Sequence, residues 1–238
     1  MGKNVLIIGA SGEIGSAIAL SLAKDGYQLM LHYHQNEQAI HQLRRNMETE
    51  QLLLEIQADL TTASGLQTLL NCLVFPIDAI VFASGTAYYG LFQQAESAEM
   101  DQMLQLHVKA PWLISKQVLP QMLTRQSGSI IFITSIWGRV GASHEVMYSS
   151  VKGAQNSFVK ALAKEVAMSG VSVNAVSPGF IDTKMNDHLT NEEKTSIIDQ
   201  IPMNRAGKPE EVAHVVGFLL DDKSTYIQGE IIEVNGAW

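Results

Sequence analysis

One cysteine in 238 residues, Cys72, leaves nothing for a disulfide framework. It sits in a leucine-rich segment and is expected to be a buried thiol in a reducing compartment. There is no run of basic residues and the net charge is −8, which argues against a nucleic-acid partner. No apolar run approaches the roughly 18 residues that a membrane span needs. The first apolar run is under way by Val5, leaving no room for a signal peptide, so a soluble, cytoplasmic protein is expected. Internal repeats and low-complexity linkers are also missing. What is present is 46% hydrophobic residues with a mean hydropathy near zero. That suits one sizeable core and a single α/β domain over residues 1–238.

The stretch Tyr148-Ser149-Ser150-Val151-Lys152 stands out within a segment that reads as a buried helix (Val151, Ala154, Phe158, Leu162, Val166). A spacing of four puts Tyr148 and Lys152 on one helix face. A phenol ordinarily titrates near 10, and a neighbouring ammonium lowers that value. Such a tyrosine can exchange a proton with a carbonyl or alcohol oxygen. Upstream, Ile130-Ile131-Phe132-Ile133-Thr134-Ser135 reads as an apolar strand ending in hydroxyls, and Ser135 can hold the same oxygen. The combination points to hydride-transfer chemistry at a carbonyl.

Near the N-terminus, Lys3 to Ile8 is a near-continuous apolar run, as expected of a parallel strand covered on both faces. Gly9-Ala10-Ser11-Gly12-Glu13-Ile14-Gly15 follows, then a helix that ends at Gly26. Strand, glycine turn and helix N-terminus make a phosphate cradle. A second strand, Gln28–Tyr33, leads into His32-Tyr33-His34-Gln35-Asn36. No acidic residue stands there to hold a free ribose 2′-hydroxyl, and histidines and amides tolerate a 2′-phosphate. This favours NADP(H), with NAD(H) as the alternative. No third ligand at a recognisable spacing joins His32 and His34, so no metal is expected.

Further strands are expected at Leu52–Gln57, Ile77–Ala83, Val171–Val176 and Ile231–Val234, with the Ser135 strand among them. Asp59 is placed to meet the adenine, to cap the next helix, or both. A helical region from Ser97 to Leu123 is expected to be interrupted at Pro111 and Pro120. Residues 180–200 suit a substrate lid. The alternation implies a single-domain Rossmann fold, a doubly wound parallel sheet of about seven strands with helices on both faces. Gly9, Asp59, Gly85, Ser135 and Gly179 all follow strands and should converge at one edge.

Taken together, these residues resemble the short-chain dehydrogenase/reductase family over the whole chain. The segments Arg205–Ala213 and Gly229–Gly236 resemble its 3-oxoacyl-acyl-carrier-protein reductase branch. The resemblance implies that Tyr148 donates the proton, Lys152 binds the nicotinamide ribose and lowers the tyrosine pKa, and Ser135 holds the carbonyl oxygen. It implies cofactor contacts from Gly9, Ser11, Gly12, Ile14, Gly15, His34, Asp59, Leu60, Ala83, Gly85, Pro178, Gly179, Ile181 and Thr183, besides Tyr148 and Lys152. A homotetramer built on paired long helices is implied as well.

Several positions depart from that pattern. Glu13 replaces a usual glycine, and Ser84 lies where an asparagine motif is usual. His107 stands where an asparagine anchors a proton-relay water. Its backbone carbonyl keeps that role, its imidazole relays protons, or it is a helix histidine with no role. The positions expected to carry carrier-docking arginines are Gln126 and Ser169, with Arg125 and Arg139 nearby. The segments Gln105–Val108, Ser135–Gly138 and Gly153–Gln155 resemble a subgroup that reduces the 5-aminopentanone on a lysine of elongation factor P. Such a substrate carries an ammonium, which Glu145 and Trp137 are expected to receive. The alternatives are a 3-oxoacyl-acyl-carrier-protein reductase and a non-catalytic dinucleotide sensor or scaffold.

Overall fold

The computed structural model describes residues 3–238. Its strands are β1 (Asn4–Ile8), β2 (Gln28–Tyr33), β3 (Leu52–Gln57), β4 (Ala79–Phe82), β5 (Gly128–Ile133), β6 (Val171–Pro178) and β7 (Ile231–Val234). They form one seven-stranded sheet in the order β3-β2-β1-β4-β5-β6-β7, and every pairing is parallel. The helices are α1 (Glu13–Lys24), α2 (Glu37–Arg45), α3 (Ala63–Asn71), α4 (Ser97–Leu104), α5 (Ala110–Arg125), α6 (Trp137–Val140), α7 (Val146–Val166), α8 (Asn191–Ile198) and α9 (Pro209–Leu220).

β1 shows why the strands read as unbroken apolar runs. Leu6 and Ile8 belong to one core and Val5 and Ile7 to the other. Successive side chains face opposite sides of a strand, and here both sides are covered. Helices α1, α2 and α9 seal one face through Ile18, Leu22, Ile40 and Val216. Helices α3, α5 and α7 seal the other through Leu66, Ile114, Val118 and Val159. The doubly wound architecture expected from the alternation is therefore present. Strand order reverses between β1 and β4, so the crevice opens at their carboxyl ends.

Local details differ from expectation for physical reasons. β4 is shorter than Ile77–Ala83, although Ala83 N–H still donates to the Ile8 carbonyl. The long helical region breaks at neither proline. It passes through a π turn at Gln105–Lys109 between α4 and α5. Pro111 follows the π turn in continuous helical backbone, and the His107 carbonyl that its missing N–H would leave unpaired accepts from Gln155 Nε2 instead. Pro120 is inside α5 on its exposed side, where water reaches the carbonyl it leaves unpaired. Asp59 is not the cap of α3. Thr62 takes that role, its hydroxyl accepting from Gly65 N–H at 3.0 Å.

Candidate active site

The nucleotide turn follows β1. Gly9 has φ +87°, and a Cβ there would lie 2.6 Å from the backbone of Ser84 at the end of β4. A Cβ on Gly15 would lie 2.2 Å from the Gly9 carbonyl oxygen. Both glycines are needed for the turn to close. Gly12, the N-cap of α1, supplies no side-chain cap. The first backbone N–H groups of α1 are thus left for an anion at the positive helix end. Glu13 does not cover them, because its carboxylate accepts from Lys184 N–H at 2.6 Å. These residues fit the pyrophosphate of a dinucleotide, and Ile14 extends the fit by lining the adjoining cleft.

His32 does not reach the ribose end. It is buried, accepting from Gly9 N–H at Nδ1 (3.2 Å) and facing the Ala58 carbonyl with Nε2 (3.0 Å). Burial lowers its pKa to about 4, so it is a neutral strut between the ends of β1, β2 and β3. His34 is the exposed imidazole, 3.7 Å from the Asp59 carboxylate. Asp59 is held below the usual carboxylate range, chiefly by the Thr61 hydroxyl and also by the Thr61 N–H and His34, against burial. The Leu60 side chain is in the core, so only its backbone is available to a ligand. Ser11, His34 and Asp59 do not line the cleft that holds Tyr148; His34 and Asp59 follow β2 and β3.

That cleft has a volume of about 370 Å³ and is lined by Ala83, Gly85, Ser135, Tyr148, Lys152 and the strand-end segment Pro178–Ile181, with Thr183 beyond it. Ser135 sits just past β5, its oxygen accepting from Trp137 N–H at 3.2 Å. Tyr148 and Lys152 come from one face of α7, both buried. Lys152 Nζ donates to the Ile133 carbonyl at 2.9 Å and stands 5.5 Å from the Tyr148 ring centroid. Burial lowers Lys152 to about 7. The Tyr148 phenol moves the other way from the direction expected. Burial raises it, the Glu145 charge adds to the rise, and the Ser135 hydroxyl opposes both. The ammonium is directed to a carbonyl and to the ring face, and desolvation penalises the phenolate. Tyr148 is accordingly a loaded acid at neutral pH, suited to giving a proton to a developing alkoxide.

The His107 carbonyl accepts from Gln155 Nε2 at 2.8 Å, which leaves a second lone pair for a water. The ring is fully buried at 0% exposure, edge-on to the Tyr148 ring at 5.9 Å, with Nε2 against Thr86. Nδ1 has no hydrogen-bond partner among the described residues. Burial, then the Lys152 charge, lowers the ring to about 3, with Thr86 opposing. The expectation of a histidine titrating near neutrality is thereby corrected. Between pH 5 and 9 the pH–rate profile of His107→Gln should keep the wild-type shape, whatever its amplitude. A displaced acid limb would show that the ring titrates after all.

The far end of the cleft holds residues with no motif to announce them. Trp238 packs edge-to-face on Trp137 at 5.0 Å, and both line the cleft with Glu145. Burial raises the Glu145 pKa, against His188 and the Trp137 N–H. Tyr89 stacks on His144 at 5.3 Å and meets His188 at 5.6 Å. Of the residues near the expected carrier-docking positions, Arg125 pairs with Asp78 and the Ile77 carbonyl, and Arg139 with Glu233.

A parallel α/β crevice with a glycine turn at one end and a serine, tyrosine and lysine at the other defines a nicotinamide-dependent oxidoreductase. Residues 9–237 match the family model described as enoyl-(acyl carrier protein) reductase. The chain belongs to the short-chain dehydrogenase/reductase family, in its 3-oxoacyl-acyl-carrier-protein reductase-like part. It is 47% identical to the uncharacterized oxidoreductase YmfI of Bacillus subtilis, over 100% of this chain and 99% of that one. It is 32% identical to the 3-oxoacyl-[acyl-carrier-protein] reductase FabG of Staphylococcus aureus, over 99% and 98%. Among solved structures, one assigned as an NAD(P)-dependent gluconate 5-dehydrogenase of Beutenbergia cavernae, with NADP bound at low occupancy, superimposes with a TM-score of 0.93 at 26% identity, covering 100% of this chain and 96% of that one. A short-chain dehydrogenase/reductase of Serratia marcescens gives 0.91 at 26% identity, covering 100% and 98%. Among the described residues, no helix is long and apolar enough to cross a membrane.

Proposed function

We propose that the protein is an NADP(H)-dependent reductase of a ketone that carries an ammonium group, the 5-aminopentanone on a modified lysine of elongation factor P. The observation that carries this reading is Glu145, a partly buried carboxylate beside Trp137 at the end of the cleft. A carboxylate in that setting is costly alone and favourable beside a cation. Trp137 and Trp238 offer ring surface to the same ammonium. The absence of a carboxylate at the end of β2, with His34 exposed there, supports a ribose 2′-phosphate.

A bound dinucleotide supplies hydride chemistry. The chain's own part is to hold the ketone oxygen between Ser135 and Tyr148 and to pass it the phenolic proton. Ketone, hydride and proton together give the secondary alcohol. Lys152 places a positive charge beside the oxygen that gains negative charge. We assign residues 180–200 as the lid over this cleft. We assign the homotetramer to the face carrying the exposed Leu104, Trp112 and Leu113.

The relatives named FabG favour a second reading, a 3-oxoacyl thioester on acyl carrier protein. Against it stand Gln126 and Ser169, the internal pairing of Arg125 and Arg139, and the net charge of −8, which repels an acidic carrier. NADPH oxidation with the two ketones side by side separates the readings. One ketone is acetoacetyl-acyl carrier protein. The other is aminopentanone-bearing elongation factor P from cells lacking this enzyme, and it should react with the higher kcat/KM. Glu145→Gln should raise KM for the cationic ketone about tenfold or more and leave the thioester nearly unaffected. An unchanged KM for the cationic ketone removes Glu145 as its receptor.

A further inference from the structure

Glu13 stands where the family's turn usually has glycine, and its carboxylate should repel a pyrophosphate. A glutamate in the first turn of a helix commonly folds back on the free N–H groups of its own helix. Here it reaches across the crevice to the backbone N–H of Lys184, 171 residues away. Lys184 opens the Lys184–Asn186 turn, and Thr183 and Asn186 on either side line the cleft. Just upstream the chain is tied to the scaffold. Ile181 bridges to Gly207, and Asp182 N–H donates to the Gly207 carbonyl at 2.9 Å. The Glu13 bond extends that anchored stretch by one turn and fastens it to the nucleotide turn.

We infer that Glu13 is a lid-positioning residue, its carboxylate clamping the Thr183–Asn186 turn to the Gly9–Gly15 turn so that dinucleotide exchange requires this bond to open. The residue does two things at once. By turning to Lys184 it leaves the N-terminal donors of α1 to the pyrophosphate and moves its charge off that site. The amide at Lys184 is held by a charged acceptor, which makes a stronger hydrogen bond than a neutral one.

Two variants test this, Glu13→Ala and Glu13→Gln, with two readouts. The first is hydrogen exchange at the Lys184 amide in protein without added dinucleotide. The second is the rate of NADPH release into a trap of excess NADP, followed by nicotinamide fluorescence. In Glu13→Ala, exchange at Lys184 and NADPH release should each quicken roughly tenfold. Glu13→Gln keeps an acceptor oxygen and should lie nearer the wild type in both. Unchanged exchange and release in a folded Glu13→Ala protein would overturn the inference. So would slower release in both variants, since that marks simple charge repulsion. Neither readout involves a ketone, so failure here leaves the substrate assignment untouched, and failure of that assignment leaves this one untouched.

Discussion

Tyr148→Phe is expected to lower kcat by ~10³-fold or more while dinucleotide affinity stays within about twofold. The size follows from what a positioned general acid contributes, typically about 10²–10⁴-fold. The change removes one oxygen from a side chain that is only 9% exposed, and its ring keeps the edge contact with His107 and the place on α7. The nucleotide turn lies on another element and should not respond. Initial-rate kinetics and a fluorescence titration with NADPH on the same preparation supply both numbers. Binding with no turnover in the wild type, with either ketone, would instead favour a dinucleotide sensor. Turnover that survived in Tyr148→Phe would move the proton donor elsewhere, and Ser135 would be the residue to examine.

Lys152→Met should show two opposed effects. Activity should fall by ~10²-fold or more, because in the proposed reaction this side chain supplies positive charge to the oxygen that gains negative charge. Stability below neutral pH should rise. Burial lowers this lysine from 10.5 to about 7, so the unfolded chain holds the proton more tightly than the folded one. The burden of charging it is fully present below about pH 7. It is relieved as pH rises from about 7 to 10.5, the interval in which the unfolded state binds the extra proton. The difference of 10.5 − 7 corresponds to at most roughly 5 kcal/mol, from which the lost hydrogen bond to Ile133 must be subtracted. Thermal melts at pH 6 should place the Met variant on the order of 5 °C or more above the wild type, and the gap should shrink by pH 10. A wild type more stable than the variant at pH 6 would mean that the lysine charge is well accommodated.

Much of this molecule is legible along the chain. β1, β2 and β3 are apolar runs of the length expected, and the glycine turn and α1 follow where their spacing puts them. The serine, tyrosine and lysine are found by local rules: a hydroxyl at a strand end and two polar groups one helical turn apart. The cleft brings Ser135, Tyr148, Lys152, Gly85 and Gly179 together because the sheet is parallel, so the ends of its strands share one edge.

Other features depend on partners that no local rule names. His32, near the end of β2, reads with His34 as tolerating a ribose 2′-phosphate, but it is held between Gly9 and Ala58. His107 reads as an imidazole titrating near neutrality, but its ring is buried, neutral and faces Thr86, while its carbonyl meets Gln155. Trp238 meets Trp137 from the far end of the chain. Glu13 points away from the pyrophosphate only because Lys184 offers a backbone N–H there. The direction of the Tyr148 shift belongs with these. Spacing places the lysine one turn away, but its ammonium is directed to the Ile133 carbonyl, and desolvation, summed over every neighbour that excludes water, sets the direction.

The amino-acid sequence by itself determined the fold, the converging edge and the candidate side chains that meet in the cleft, because periodicity and strand-end position are local properties that survive without knowledge of contacts. Tertiary structure decided the protonation states, the direction of Glu13, the fate of His107 and the walls of the substrate end. Each of these is set by burial and by hydrogen bonds between residues brought together only when the sheet and its two helical layers close.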